Sequence, residues 1–321
     1  MTRSRYDDLL DSALLVLPGI IWGASFLFIA EGLEAVGPYG VTFVRIAIGF
    51  ATLSCFPASR RPIAKGDGAP TALIGLLWFA FPLSMFPLAE RHVSSALTGM
   101  LNGATPLFVA VVASLLARRL PARSIVAGLL VGFAGTILMG VPGLEGSSGS
   151  RSGVLLILAA LASYGVALNV ARPLQQRNGA LPVIWRALAV GLLLTAPLGI
   201  ADVVEARWSA RPVLALMALG MFGTGIANVL TATAAGRMGA TRASATTFLM
   251  PVVALLLGVL VRNEHVSAVS VLGVAVCLSG AWILRQAQAT SGSGGSYRPA
   301  PVPPLVLPPA RADMRDQARS V

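Results

Sequence analysis

The chain has 321 residues, 55% of them hydrophobic and only 12% charged, with a formal net charge of +11 and a mean hydropathy of +0.78. A soluble domain of this length needs far more charge to cover its surface. A membrane barrel needs a period-two alternation that the unbroken Leu/Val/Ala/Ile runs lack. The positive charge is scattered through short segments between those runs, so it points to orientation in a membrane and not to nucleic acid.

Taken in chain order, the apolar runs predict ten helices at residues 12–30, 39–56, 70–89, 93–117 and 121–141, then 153–171, 181–201, 213–236, 240–261 and 266–284. Each approaches the ~20 residues that a bilayer span requires. The basic N-terminus followed by an apolar stretch resembles a signal peptide, but the run continues to Ala30 and reads as an uncleaved first helix. Breakers such as Gly37-Pro38 and Lys65-Gly66-Asp67-Gly68 separate the runs. With the N-terminus inside, the inner segments hold twelve basic residues before the tail and the outer loops five, which predicts both termini in the cytoplasm. A single lysine, Lys65, against 23 arginines is a weak compositional hint of a bacterial source, and hence of a bacterial inner membrane. Residues 1–11 read as a cytoplasmic N-terminus. Residues 287–321, rich in Gly, Ser and Pro, read as a disordered cytoplasmic tail. Cys55 and Cys277 fall inside apolar runs and read as small buried hydrophobes rather than a disulfide.

The chain is also similar to itself. Pro106, Arg119, Gly128 and Gly135 are each followed 145 residues later by Pro251, Glu264, Gly273 and Gly280, and Arg45 matches Arg186 at an offset of 141. Residues 12–142 and 151–286 thus form two five-helix units. Because five is odd, the second unit must enter the membrane from the opposite side, which makes an inverted repeat. The expected fold is all-α with ten transmembrane helices, and such repeats place a solute site near the midplane. A duplicated bundle with no transport role is the plainer alternative.

The same residues resemble the EamA-type members of the drug/metabolite transporter superfamily. The resemblance lies in Trp22-Gly23 followed by Ala24-Ser25-Phe26, in Arg45 and Arg186 in the second helix of each unit, and in a proline-bearing helix before an acidic turn and a Gly-rich last helix. The second copy fits through Pro251, Glu264, Gly273 and Gly280, whereas Arg119 stands where the family has an acidic residue. The resemblance implies a ten-helix transporter of metabolites or drugs.

Polar residues inside apolar spans are costly and therefore informative. Thr98, Asn102 and Thr105 share one helix face, and Thr246, Thr247 and Met250 occupy the matching part of the second unit. Ser25, Asn169, Asn228 and Thr231 complete the neutral set, with Trp22, Phe26, Trp78 and Tyr164 as candidate aromatic walls. The candidate lining is Trp22, Ser25, Phe26, Trp78, Thr98, Asn102, Thr105, Tyr164, Asn228, Thr247 and Met250. The plainer reading of these residues is interhelical hydrogen bonding. Pro106 and Pro251 read as mid-helix kinks. Arg45 and Arg186 read either as symmetry-related structural locks near opposite faces or as a gate or anchor for a substrate carboxylate. Gly128, Gly132, Gly135, Gly273 and Gly280 predict close helix packing. Glu264 is expected to cap the tenth helix, and Arg119 to contact anionic lipid.

No Asp or Glu falls near the middle of a span, since Glu31 and Glu90 lie at outer ends, so a proton relay through a buried carboxylate finds no support in the sequence. There is no zinc helix, P-loop or nucleophile elbow, which argues against an enzyme, and no metal or cofactor is expected. The expected partners are a small-molecule substrate and the lipid bilayer. The function expected is alternating-access transport, with export favoured by the resemblance alone. Two rivals stand: a nucleotide-sugar or lipid-linked carrier of the same fold, which would need several cationic groups in its cavity, and a non-transporting scaffold or receptor using the proline-rich tail.

Overall fold

The computed structural model describes residues 5–118, 123–144, 148–238 and 244–292, and among these every regular element is helical. Arg119, Arg242 and the tail beyond residue 292 lie outside the described residues. The helices are α1 (Arg5–Gly32), α2 (Pro38–Ser54), α3 (Gly68–Glu90), α4 (Ser95–Ala117), α5 (Arg123–Leu144), α6 (Ser148–Asn178), α7 (Ala180–Val204), α8 (Ala210–Met238), α9 (Met250–Arg262) and α10 (Ala268–Gly292). Eight of them are long and apolar enough to cross a membrane. The exceptions are α2, with 17 residues, and α9, with 13 residues after a 3₁₀ turn at Ser244–Phe248. At ~1.5 Å per residue α2 spans about 25 Å, near the lower limit for a hydrocarbon core of about 30 Å. Leu193, Leu260 and Leu130 are 75%, 73% and 68% exposed, on α7, α9 and α5. Large apolar side chains turned outward on several helices match a lipid-facing surface, and the chain is an all-α multi-pass membrane protein.

The sequence offset recurs in the backbone. α3 carries a π-helical segment at Gly75–Ala80 and α8 one at Leu219–Ile226. α4 is interrupted at Gly103-Ala104 before restarting at Thr105, and the matching place in the second unit is the join between Ser244–Phe248 and α9. Both restarted segments end on a residue in the left-handed region, Arg118 at φ 49° and Asn263 at φ 54°. Pro106 and Pro251 therefore begin helical segments, where a missing N–H costs nothing, and do not kink continuous helices as the sequence suggested.

Packing follows the same two-fold logic. α2 packs on α7, α4 on α9 and α5 on α10 across the units. α3 packs on α6 as α8 packs on α1. The α5–α10 contact is the closest. A Cβ added at Gly128, Gly135, Gly273 or Gly280 would strike backbone atoms of the opposite helix. Small residues are what let two helices approach this far in a membrane, where no hydrophobic force drives them together.

Ion pairs sit at the helix ends. Asp11 meets Arg237 at 3.0 Å, and Asp67 meets Arg177 at 2.7 Å with Asn178 donating to its other oxygen at 2.6 Å. At the other end of α1, Glu31 meets Arg211 at 2.5 Å and Arg262 at 2.6 Å, and Glu34 meets Arg262 at 3.2 Å. α2 and α7 run antiparallel: Gly40 N donates to Asp202 at one end, and Trp185 Nε1 donates to Ser54 at the other.

Candidate functional site

A cavity of about 340 Å³ lies between the two units. α1 contributes Trp22, Ser25 and Phe26; α3 contributes Trp78, Phe79, Leu83 and Phe86; α6 contributes Tyr164, Leu168 and Gln175. α8 lines it from Gly223 to Ala235, through Thr224, Asn228 and Thr231. Asn102 and Thr105 reach it from the break in α4, and Thr246, Thr247 and Met250 from the start of α9. The aromatic wall is continuous: Phe26 meets Phe86 edge-on at 5.6 Å, and Phe86 meets Tyr164 at 5.9 Å.

The irregular helix segments shape this space. A π segment leaves carbonyls without their usual partners and is frequent at functional sites. In α8, Gly223 O accepts from Trp22 Nε1 at 2.9 Å; in α3, Leu77 O accepts from Ser163 Oγ at 2.7 Å. Each freed carbonyl is thus met by the first helix of the other unit, and Trp22 is held as a cavity wall by that bond. At the α4 break, Thr105 Oγ1 donates to Asn102 O at 2.7 Å and lies 3.3 Å from Asn102 Oδ1, and both residues line the cavity.

The two arginines diverge. Arg45 is 7% exposed, lines the cavity, and gives Nε to Thr224 Oγ1 at 2.9 Å, the single hydrogen bond of its side chain among the described residues. Its terminal nitrogens, NH1 and NH2, make none. Arg186 turns back along its own helix, donates to Pro182 O at 3.1 Å and lies over the Trp185 ring at 5.5 Å. It does not line the cavity. Arg45 lies midway along α2, whereas Arg186 lies near the start of α7, beside the end of α2.

Of the residues singled out from sequence, the structure gathers Trp22, Ser25, Phe26, Trp78, Asn102, Thr105, Tyr164, Asn228, Thr247 and Met250 around one space, together with Arg45. Thr98 is absent from it; it is fully buried and donates to Ser94 O at 3.0 Å. Asn169 bridges α6 to α4 through Val109 O at 2.9 Å. Sequence reasoning missed Phe86, Thr224 and Gln175. Thr224 and Gln175 were readable as polar residues in apolar helices, whereas Phe86 sits in an ordinary apolar run.

The cavity is asymmetric along the helices. Its lining on α6 and α8 runs toward their C-terminal ends, where Arg177 and Arg237 pair with Asp67 and Asp11. The opposite end is shut. There Arg262 and Arg211 converge on Glu31, and Glu264 accepts from Ser95 N at 3.1 Å, Ser95 Oγ at 2.8 Å and Ala96 N at 2.8 Å. Glu264 thus caps α4 across the unit boundary, not the helix that follows it as expected. A carboxylate satisfies orphan amides at any nearby helix N-terminus, and the packing of α9 on α4 brings this one closest.

An all-α membrane protein whose duplicated halves enclose a solute-sized cavity has the architecture of a transporter. The model of the EamA-like transporter family matches residues 12–141 and again 151–286, and the chain belongs to that family, one of transporters and not enzymes. The chain is 26% identical over 294 residues to the WAT1-related protein At3g02690, chloroplastic, of Arabidopsis thaliana, covering 84% of this chain and 68% of that one. It is 27% identical over 267 residues to the uncharacterised transporter YdfC of Bacillus subtilis, covering 81% and 86%. It is 25% identical over 278 residues to the probable terminal-alkyne amino-acid exporter of Streptantibioticus cattleyicolor, covering 85% and 92%. A solved crystal structure aligns with a TM-score of 0.58 at 20% identity, over 89% of this chain and 99% of that one, and shares its fold.

Proposed function

We propose that this chain is a secondary transporter that exports a small, largely apolar organic solute across a bacterial inner membrane by alternating access. In this reading all ten helices span, α2 and α9 at the short limit, and the five-helix units are inverted, with both termini cytoplasmic. The observation that carries it is the cavity: residues from both units wall one space that extends toward one end and is shut at the other. That is the form an inward-open carrier takes when its outer side is closed. Export draws on the relative named as an exporter, and the inner membrane on the Escherichia coli relative YedA, an inner membrane transporter 28% identical over 270 residues. A nucleotide-sugar carrier would want several cationic groups, and among the described residues Arg45 is the one cation lining the cavity.

The test is flux in proteoliposomes across amino acids, organic acids, nucleosides and cationic dyes, with and without a pH gradient. Wild type should move at least one class, and Asn102→Leu should impair that flux while inserting normally. Undiminished flux in both Asn102→Leu and Thr105→Leu would remove the central site. Cysteines placed at Arg60 and Arg211 should label from opposite sides; labelling from one side would end the inverted arrangement.

A further inference from the structure

Two side chains of opposite charge, on helices that pack together, keep buried polar atoms that are not fully satisfied. Arg45 uses Nε on Thr224 and leaves its terminal nitrogens facing cavity space. Glu90, at the end of α3, has both carboxylate oxygens out of contact with solvent and without a hydrogen-bond donor. Its partial exposure lies on its other atoms. α2 and the last part of α3 pack together, and Arg45 lies within electrostatic range of Glu90.

The other charged groups around Glu90 are already engaged. Arg262 is bonded to Glu31 and Glu34, and Glu264 to the amides of Ser95 and Ala96. Tyr164, on α6, faces Arg45. Arg91 and His92, in the turn that follows, are exposed. Arg45 is therefore the free partner for Glu90, and the bond between them is not made in this conformation. A carboxylate buried without a donor is costly in its ionised form. A guanidinium with unused N–H groups in an apolar cavity calls in turn for a planar anion. Among the described residues no carboxylate lines the cavity to supply it.

We propose that Arg45 is the anchor for a monocarboxylate with an apolar body, and that Glu90 is a proton site competing with that solute for the same guanidinium. With Glu90 ionised, its carboxylate takes Arg45 and the cavity is empty. With Glu90 protonated, Arg45 is released to the solute anion. One proton and one carboxylate therefore load together, adding no net charge to the cavity, so export in this mode runs down the solute's own outward gradient and is opposed by an inward proton gradient. The inference rests on the cavity being the solute site and names its ligand class and coupled ion.

Equilibrium dialysis of the purified full chain in detergent tests it, using 4-phenylbutyrate as probe against 4-phenylbutanamide and 4-phenylbutylamine, at pH 6 and pH 8. The probe's own carboxylate is ionised at both values. The acid should bind at least about tenfold tighter than the amide, and more tightly at pH 6 than at pH 8. Arg45→Gln should erase the acid–amide difference, with Arg45→Lys and the size-exclusion profile reporting that the fold survives. Glu90→Gln should bind at pH 8 as wild type does at pH 6. His92 and His265 are both retained in that variant, so a flattened profile isolates Glu90. Equal binding of acid and amide overturns the anchor. A wild-type affinity equal at both pH values, or a pH slope that survives Glu90→Gln, overturns the proton site. Failure of all three probes to bind overturns the ligand class, while the flux of Asn102→Leu separately decides whether the cavity carries a solute at all.

Discussion

Arg45 and Arg186 hold matching places in two copies of one unit, yet one faces the cavity and the other folds back onto its own helix. The difference is explained one helix away. Arg45 finds the hydroxyl of Thr224 on α8; 145 positions earlier, on α3, stands Phe79, which offers no acceptor. Arg186 turns instead to Pro182 O and Trp185. What the units still share is backbone: π segments, interrupted helices, left-handed ends and a glycine seam. What separates them is side chains. The duplicated frame is common property, and the side-chain chemistry is not duplicated with it.

That contrast can be broken first at the shared frame. Gly280→Leu would drive a side chain into the backbone of Gly132 and should lower stability by about 3 kcal/mol, read as the thermal midpoint of the purified protein. Gly236→Leu, where an added Cβ meets nothing, should leave the midpoint unchanged. Equal midpoints for the two variants would show that the seam tolerates filling.

The arginines give the next effect. Arg45→Gln should reduce solute binding roughly 10- to 100-fold, the value of a charge-assisted hydrogen bond of about 1.5–3 kcal/mol. Arg186→Gln should shift binding by less than about threefold, since its lost contacts lie outside the cavity and cost about 1 kcal/mol of fold stability at most. Equal losses in the two variants would restore the symmetric pair of locks and dissolve the contrast.

Glu264 supplies a smaller, local test. Glu264→Ala removes the acceptor for the amides of Ser95 and Ala96 and should cost about 1–2 kcal/mol. Faster amide hydrogen exchange should appear at the start of α4 and not at the start of α10. The reverse pattern would show that this carboxylate serves the helix that follows it after all.

The smallest effect is at the opposite end. The side-chain hydrogen bond from Asn178, and then that from Arg177, hold the Asp67 carboxyl below its ordinary value. A group depressed in the folded state adds stability above its unfolded value, about 3.9, and loses it as pH falls through the folded one. Arg177 is 58% exposed on its side chain, so salt should weaken the effect. The thermal midpoint of Asp67→Asn should accordingly fall less than that of wild type on acidification below about pH 4. Parallel acid curves for the two proteins would show that this contact carries no pH dependence.

Much of this was readable beforehand, for a definite reason. Ser25, Asn102 and Asn228 stand out because a polar residue in an apolar run needs an explanation, and a cavity is one. The 145-residue offset survived because glycines and prolines at fixed places are held by backbone geometry. What was hidden depends on partners far away in sequence. Thr98 has the same chemistry and spacing as Asn102, but its hydroxyl is absorbed by Ser94 O. Glu264 precedes one helix and serves another 169 residues away from it. Glu90 reads as a harmless end-of-helix acid until its oxygens are found buried without a donor. Helix periodicity ranks residues by face, not by which neighbour from the other unit arrives there.

The contact of α5 with α10 has a mechanical meaning. With glycines facing backbone across it, few rotamers remain to be reshuffled, and a slip along the seam would press backbone on backbone. Interfaces with bulky side chains can settle into a second fit; this one has a single fit. Neither helix contributes a side chain to the cavity. The pair is therefore a stiff seam that stands apart from the space the aromatic walls enclose.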